Sequence, residues 1–510
     1  MTDIYDSPNF QNFSERVFQN TSVVRERELL DSPLATTDEN IRFFDAHLKM
    51  NIKPSSKDRL ALAALASQNQ LDFRLNDPQF PEFSQDDFFT RNMGSSLSWH
   101  RQWQSKFSTT FSTFGSFFNL LYDGLRGDSE STIDRVAQKT NTVEEIGFSV
   151  QADWYLNGLF NWGVGYQFFN SSIAYGLQND DFIEQGNDSN SVNALYGYVD
   201  YEKNSWYVKT SLRANHYTNL DAFRLAPRIL AEYKLGNNLR LTTSAELRNQ
   251  SVSQIIEFAT QDFGLVNQLW VVADQEAFPI LSSQQFTFGF LWQKNGWNLD
   301  IEGYKKRIDG ITSISNGFSS IENSFASGES STLGIDVLLK KKWNSYSTFI
   351  GYTWSDTNFK FDALNNGREF SGSNDITHSL TWSHSLSLNA LELSLGWNLR
   401  TGVPFTNAFL ENTDGESDIV LEEINNLRLP TYHRLDFSAL YSFRLSKTAN
   451  SPKGKVGLSV LNIYGRRNIL GREFGFTDAL DNEGNPMTVL RTININSLGF
   501  TPNLVVRVNF

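Results

Sequence analysis

Asp375 and His378 stand three residues apart in "DITHSLTWSHS", with His384 closing the stretch. A carboxylate beside an imidazole is the commonest start of an acid–base pair or a metal site. On a strand, however, residues i and i+3 point to opposite faces, so these two cannot converge, and a structural place at a rim is the expected role. The six histidines include His433 in "PTYHRLDF". No HExxH, P-loop, GxSxG or EF-hand spacing occurs anywhere in the chain. The acidic run "ENTDGESDIVLEE" (411–423) lacks the calcium-loop register and reads as a solvated loop. No catalytic set, metal site or cofactor site is expected. Candidate functional residues are instead charges at alternate positions: Glu392, Arg400, Arg434, Asp436 and Arg444. They are expected to line a polar interior.

Those charges belong to segments that alternate with period two. In 391–400 the odd positions are Leu391, Leu393, Leu395, Trp397 and Leu399, and the even ones are Glu392, Ser394, Gly396, Asn398 and Arg400. Stretches 434–445 and 239–248 alternate in the same way. Such segments are strands with one apolar and one polar face. Nineteen are expected, from 41–52 and 57–74 through 91–101 and 390–401 to 430–446, 453–477 and 486–510. Many exceed the roughly 5–6 residues of soluble strands and reach the roughly 9–11 that cross a bilayer. Their connections mostly alternate between tight turns, such as "KNGW" (294–297), and long stretches, such as 251–282 and 402–429. Aromatic residues crowd the tight turns, among them Trp103 and Phe107, Tyr155 and Phe160, Tyr201 and Trp206, Trp292 and Trp297, Trp343 and Tyr346. The pattern predicts an all-β fold, an antiparallel transmembrane β-barrel with short periplasmic turns, long extracellular loops and an aromatic girdle.

The totals agree. The 510 residues carry a formal charge of −13, no cysteine and a mean hydropathy of −0.38. No apolar run approaches the roughly 18 residues of a membrane helix, while the polar inner face of a barrel dilutes the average. The negative charge argues against nucleic acid as a partner. The last residues, Phe510, Val508, Val506, Leu504 and Pro502, form one apolar stripe against a mostly polar alternate set. The opening "MTDIYDSPNFQNFSERVFQN" shows no export-signal pattern.

Several stretches resemble TonB-dependent receptors of the Bacteroidetes type: "APRILAEYKLGNNLRLTTSAELRNQSVSQIIEF", "FTFGFLWQKNGWNLDIEGYKKRIDGITSIS", "NDITHSLTWSHSLSLNALELSLGWNLRTGVPFT" and "GLSVLNIYGRRNI". The order and spacing of these stretches carry the resemblance, from about residue 1 to 510. It implies an integral protein of the Gram-negative outer membrane that captures an extracellular ligand on its loops. A TonB complex would power uptake by displacing a plug. It also implies that Phe510, Val508 and Val506 form a C-terminal signal read by the barrel assembly machinery. Receptors of this type have an N-terminal signal, a plug domain and 22 strands. Against that plan, residues 1–40 are expected to be an extracellular loop segment and 41–510 an incomplete barrel of about 19 strands. The signal, plug and first three strands would then belong to a missing upstream part. A passive porin-like channel is the alternative reading, and an adhesin or outer-membrane enzyme a third.

Overall fold

The computed structural model describes residues 36–77, 82–129, 132–156, 158–179, 183–256, 269–274, 276–314, 325–413, 416–444, 453–480 and 486–509. Nineteen strands form one antiparallel meander, each pairing with the next. They are β1 (Thr36–Ile52), β2 (Asp58–Asp77), β3 (Glu82–Gln104), β4 (Phe107–Ser129), β5 (Thr132–Leu156), β6 (Phe160–Asn179), β7 (Ile183–Lys203), β8 (Trp206–Tyr217), β9 (Ala222–Leu235), β10 (Leu239–Gln250), β11 (Leu281–Lys294), β12 (Trp297–Ile314), β13 (Phe325–Trp343), β14 (Tyr346–Phe361), β15 (His378–Leu388), β16 (Leu391–Arg400), β17 (Tyr432–Arg444), β18 (Lys453–Leu461) and β19 (Thr501–Asn509). Among the described residues, no ladder joins β1 to β19. The only helical turns among them are two three-residue 3₁₀ turns, and no helix is long and apolar enough to cross a membrane.

The register explains why alternation was readable. Leu395 pairs with Phe437, Phe437 with Val460, and Val460 with Pro502. One row along, Leu393, Ala439, Leu458 and Leu504 align in the same way. The period of two therefore gathers one apolar stripe per strand into a continuous face. That face is bare: Leu504 is 72% exposed and Ile146 62%. Apolar surface costs about 25 cal/mol per Å² in water, so a sheet-wide patch of this kind requires an apolar surrounding.

Tight turns join alternate strands on one rim. Asn295 (φ 49°) and Gly296 (φ 77°) both occupy the left-handed region, the requirement of a two-residue type I′ hairpin between β11 and β12. Aromatic rings band this rim. Trp154 stacks on Trp162 at 4.1 Å and lies 5.0 Å from Phe107; Phe160 meets Tyr201 at 5.0 Å and Trp206 meets Tyr233 at 4.6 Å. Three of these contacts join neighbouring hairpins rather than spanning a turn as the sequence pairs suggested, whereas Trp154 and Trp162 face each other across the turn between β5 and β6. Trp343 and Tyr346, 5.4 Å apart, do pair across their own turn. Lys341 Nζ lies 4.8 Å from the Trp297 ring and 5.2 Å from the Trp343 ring, a cation held at the level of the band.

Three expectations need correction. β3, β4 and β5 run to 23, 23 and 25 residues, because segments expected as loops continue as paired strand. Beyond the bilayer the outer side of the sheet no longer meets lipid, so the alternation weakens while the backbone pairing persists. The expected strands 453–477 and 486–510 each break in two. Asn462 and Gly465 take positive φ values of 55° and 63° and stop β18, after which Ile469–Leu480 and Pro486–Asn496 form a separate hairpin. The expected loop segment 1–40 lies outside the described residues as far as 35, and its last five residues begin β1.

Candidate functional site

The second face of the sheet is polar, and it holds the charges singled out above. Cross-strand register sets Asn398 opposite Arg434 and Gly396 opposite Asp436, all on the face away from Leu395. Arg434 Nε donates to Asp436 Oδ2 at 3.0 Å, two residues along the same strand and hence on the same face. The Asp436 carboxylate also accepts the Asn462 N–H at 2.9 Å, which ties the end of β18 to β17. Arg400 lies over the Tyr432 ring at 4.6 Å. Glu392 meets Lys455 Nζ at 3.7 Å. Arg444 stands opposite Lys453 at the tight-turn end. The five residues thus share a face and spread along it, and Arg434 and Asp436 are the two that touch.

Sequence reasoning missed a second polar group on that face. Gly163 and Gly165 of β6 face Tyr198 and Tyr196 of β7. A Cβ on Gly165 would fall 2.3 Å from the Tyr196 ring, and one on Gly163 2.4 Å from Tyr198. Two absent side chains therefore let two phenol rings lie flat on the wall. Tyr196 donates to Gln151 at 3.1 Å and Tyr198 to Asp153 at 2.6 Å. Lys209 Nζ covers Tyr198 at 4.6 Å, and Arg213 covers Tyr196 at 5.7 Å. The signal was in the sequence as "WGVGYQ" facing "YGYVDY", but only the register reveals that glycines oppose tyrosines.

At the long-loop rim the interior is filled. The connection between β10 and β11 crosses from one wall to the other. Ile255 and Ile256 pair in parallel with Thr312 and Ser313 of β12. On the opposite wall Asn141 of β5 receives the same segment: its Oδ1 accepts the Trp270 N–H at 2.8 Å and its Nδ2 donates to the Trp270 carbonyl at 2.9 Å. One buried amide thus imitates a strand neighbour. Between the walls, Tyr175 and Leu177 of β6 pack with Ile255, Leu269, Val271, Phe278 and Ile314. Asp274 Oδ1 accepts three consecutive backbone N–H groups, from Glu276, Ala277 and Phe278, each at 2.8 Å, and so fixes the turn after the crossing. A segment reaching both β5 and β12 also establishes that the sheet curls on itself.

A second set of connections, 362–377 and 401–431, is latched beside it. The fully buried Asp375 side chain pairs with Arg428 and accepts the Thr357 N–H at 2.8 Å. Gly402 passes so close to Leu429 that a Cβ would lie 1.8 Å from its carbonyl oxygen. His378 is elsewhere, on the apolar face, bonded through Nδ1 to the Tyr352 hydroxyl at 2.9 Å. His384 and His433 bond Tyr346 (2.5 Å) and Tyr464 (2.8 Å) in the same way. The acidic run 411–423 is largely the outer hairpin Ala408–Thr413 and Glu416–Leu421, with Glu423 paired to Arg368. Among the described residues, no three His, Cys, Asp or Glu side chains converge as a metal site. Of the expected terminal signal, Val506 is 66% exposed on the apolar face and Val508 pairs with Gly454. Phe510 lies outside the described residues.

Residues 31–463 match the family described as TonB dependent receptor-like, beta-barrel. No curated protein matches the chain. Among solved structures it resembles the ferric-catecholate import receptor Fiu of E. coli K12, with TM-score 0.55, 9% identity, and coverage of 92% of this chain and 80% of that one. The copper transporter OprC gives TM-score 0.62 at 10% identity, covering 92% and 72%. The ferric yersiniabactin uptake receptor FyuA of Yersinia pestis gives TM-score 0.54 at 13% identity, covering 93% and 79%. At these identities the likeness is one of fold.

Proposed function

The chain belongs to the TonB-dependent receptor β-barrel family, an outer-membrane receptor and transport fold without catalytic chemistry, and from that premise we propose that it captures an extracellular ligand for TonB-driven uptake. The observation that carries this reading is the crossing segment at the long-loop rim. A passive pore works with an unobstructed lumen. Here Asn141 and β12 hold a packed apolar cluster across the mouth. Such a barrier suits a receptor that opens on demand.

In this reading the polar face lines the lumen. Arg434, Asp436, Arg400, Glu392 and Arg444 form part of that lining, and the tyrosine–glycine wall of β6 and β7 another part. Bound arginine–carboxylate and tyrosine–carboxylate pairs keep the lining polar without leaving isolated charge. The ligand meets the long connections first. Fiu is a ferric-catecholate import receptor, FyuA a ferric yersiniabactin uptake receptor and OprC a copper transporter, so one barrel plan serves different cargoes and ligand choice rests with the loops. The proposed partners are the TonB complex, acting through a plug, and the barrel assembly machinery, reading the final strand.

The test is uptake in a Gram-negative host carrying the receptor, with and without its TonB system, using radiolabelled ferric chelates and copper at limiting supply. Receptor-dependent uptake that vanishes without TonB is expected. Uptake persisting at the same rate without TonB would replace this reading with the passive channel.

A further inference from the structure

The crossing segment docks on two walls, and each wall carries a buried polar side chain without a partner. One wall is the interior face of β6 and β7, and Trp270–Val272 lies against both strands. Ser171 and Ile173 of β6 and Asn190 and Val192 of β7 are all buried on that face. Ser171 stands in register between Glu145 of β5 and Asn190. Its hydroxyl donates to Glu145 Oε2 at 2.6 Å, so that pair is satisfied. Asn190 is not. Its side chain is fully buried, and neither Oδ1 nor Nδ2 has a hydrogen-bond partner. On the opposite wall Thr312, the register partner of Ile255, is equally buried, and its Oγ1 has no partner either.

The places of these groups set them apart. Among the described residues, the other buried side-chain atoms without a hydrogen bond belong to Arg101, Ser108, Asp200 and Asn298, all close to tight-turn strand ends. Asn190 and Thr312 stand instead in the half of the barrel that the segment closes, one on each wall. Buried polar groups are hydrogen-bonded as a rule, and each exception destabilises the state that buries it. Here that state is the docked one. With the segment in place, the two donors and the carbonyl oxygen of Asn190 are shut off from water. With the segment undocked, they are hydrated. The penalty therefore falls on the docked form, and the population shifts toward the undocked form accordingly. Asn141 acts in the opposite sense, because its two bonds to Trp270 exist only in the docked form.

We propose that Asn190 and Thr312 are release residues: unsatisfied polar groups that oppose the Asn141 latch and hold the closed barrier near the point of opening. The inference rests on the receptor reading, in which a barrier opens on demand, and adds the device that sets how readily it does so.

The experiment is amide hydrogen exchange of the full chain refolded in detergent micelles, without cargo or TonB, read at Trp270, Val271 and Ile255. Asn190→Val and Thr312→Val remove the polar groups and keep branched apolar side chains suited to a strand. Each should slow exchange at these amides about fivefold or more, the scale of one orphaned buried group, while amides of β16 and β17 stay unchanged. The direction is diagnostic, because a substitution that only damaged packing would speed exchange. Thr312→Val keeps the shape of threonine, so the test stands even if Asn190→Val does not fold, as judged by heat-modifiable gel mobility. Slowing in either variant supports the proposal and assigns the bias to that wall. Exchange unchanged or faster in every folded variant would overturn it. The measurement needs no cargo, so that result would remove this device and leave the receptor reading to its own test, TonB-dependent uptake.

Discussion

Replacing Asn141 with alanine should unfasten the crossing segment without unfolding the barrel. The amide makes three hydrogen bonds: to the Trp270 N–H (2.8 Å), the Trp270 carbonyl (2.9 Å) and the Ala174 carbonyl (3.1 Å). Asn141 is fully buried, so alanine leaves the Trp270 backbone groups facing a space with no replacement partner. An unsatisfied buried group costs about 1–3 kcal/mol, so the two Trp270 groups together lose roughly 2–6 kcal/mol. The lower figure multiplies the open population about 30-fold. The β4 and β6 neighbours of β5 keep their ladders, so global stability should change far less than local opening. The assay is amide hydrogen exchange of the refolded receptor, read at Trp270, Val271 and Ile255. Exchange there should accelerate by about 30-fold or more, while amides of β16 and β17 stay unchanged. Asn141→Asp keeps an acceptor for the Trp270 N–H but no donor for the two carbonyls, and it sets a charge beside the Trp270 carbonyl, so it should also accelerate exchange. Unaltered exchange in Asn141→Ala would refute the idea that this amide holds the segment.

Other outcomes follow from the same geometry. Leu395→Arg puts a charge on the lipid face and should destabilise the barrel by about 2–4 kcal/mol in denaturant titrations from vesicles, whereas Asn398→Arg, on the polar face, should cost much less. Asp375→Asn removes the partner of a partly buried arginine and should cost about 3 kcal/mol locally, seen as faster proteolysis within 401–431 with the strands intact. Gly402→Ala cannot be accommodated beside the Leu429 carbonyl, so it should break the Val403–Leu429 backbone bond (3.0 Å) and raise cleavage in that same region. Gly165→Val should push Tyr196 off the wall and break its bond to Gln151, reported by a changed Tyr196 ring signal in aromatic NMR.

What the sequence made legible was set by the solvent. Where lipid meets one face and water the other, Leu393, Leu395 and Trp397 alternate with Glu392, Ser394 and Asn398, and strands, faces and the tight-turn rim follow from period two alone. The outer halves of β3 to β5 were not legible, because the contrast between their faces fades beyond the bilayer and only pairing marks them as strands. The break after β18 was written in Asn462 and Gly465, yet the flanking runs 453–461 and 469–480 each look like strand and disguise it. Within the candidate site, the charges of β16 and β17 could be assigned a face. Asn141 gave no signal, because its partner is a backbone 129 residues away. Tyr196 over Gly165 needed a register between two strands that local pattern does not supply.

The crossing segment also carries a kinetic consequence. In a meander every barrel pairing joins consecutive strands, so the wall can grow by adding one hairpin at a time, each with a short loop to close. The segment between β10 and β11 departs from that rule. Its contacts reach back to Asn141 and forward to Thr312, so they exist only once β5 to β12 have been laid down and have curved toward one another. Its docking is therefore a late event in folding, separate from strand addition. A substitution that weakens it, such as Asn141→Ala, should leave the rate of barrel formation unchanged and act on undocking alone, the behaviour of a contact absent from the rate-limiting transition state.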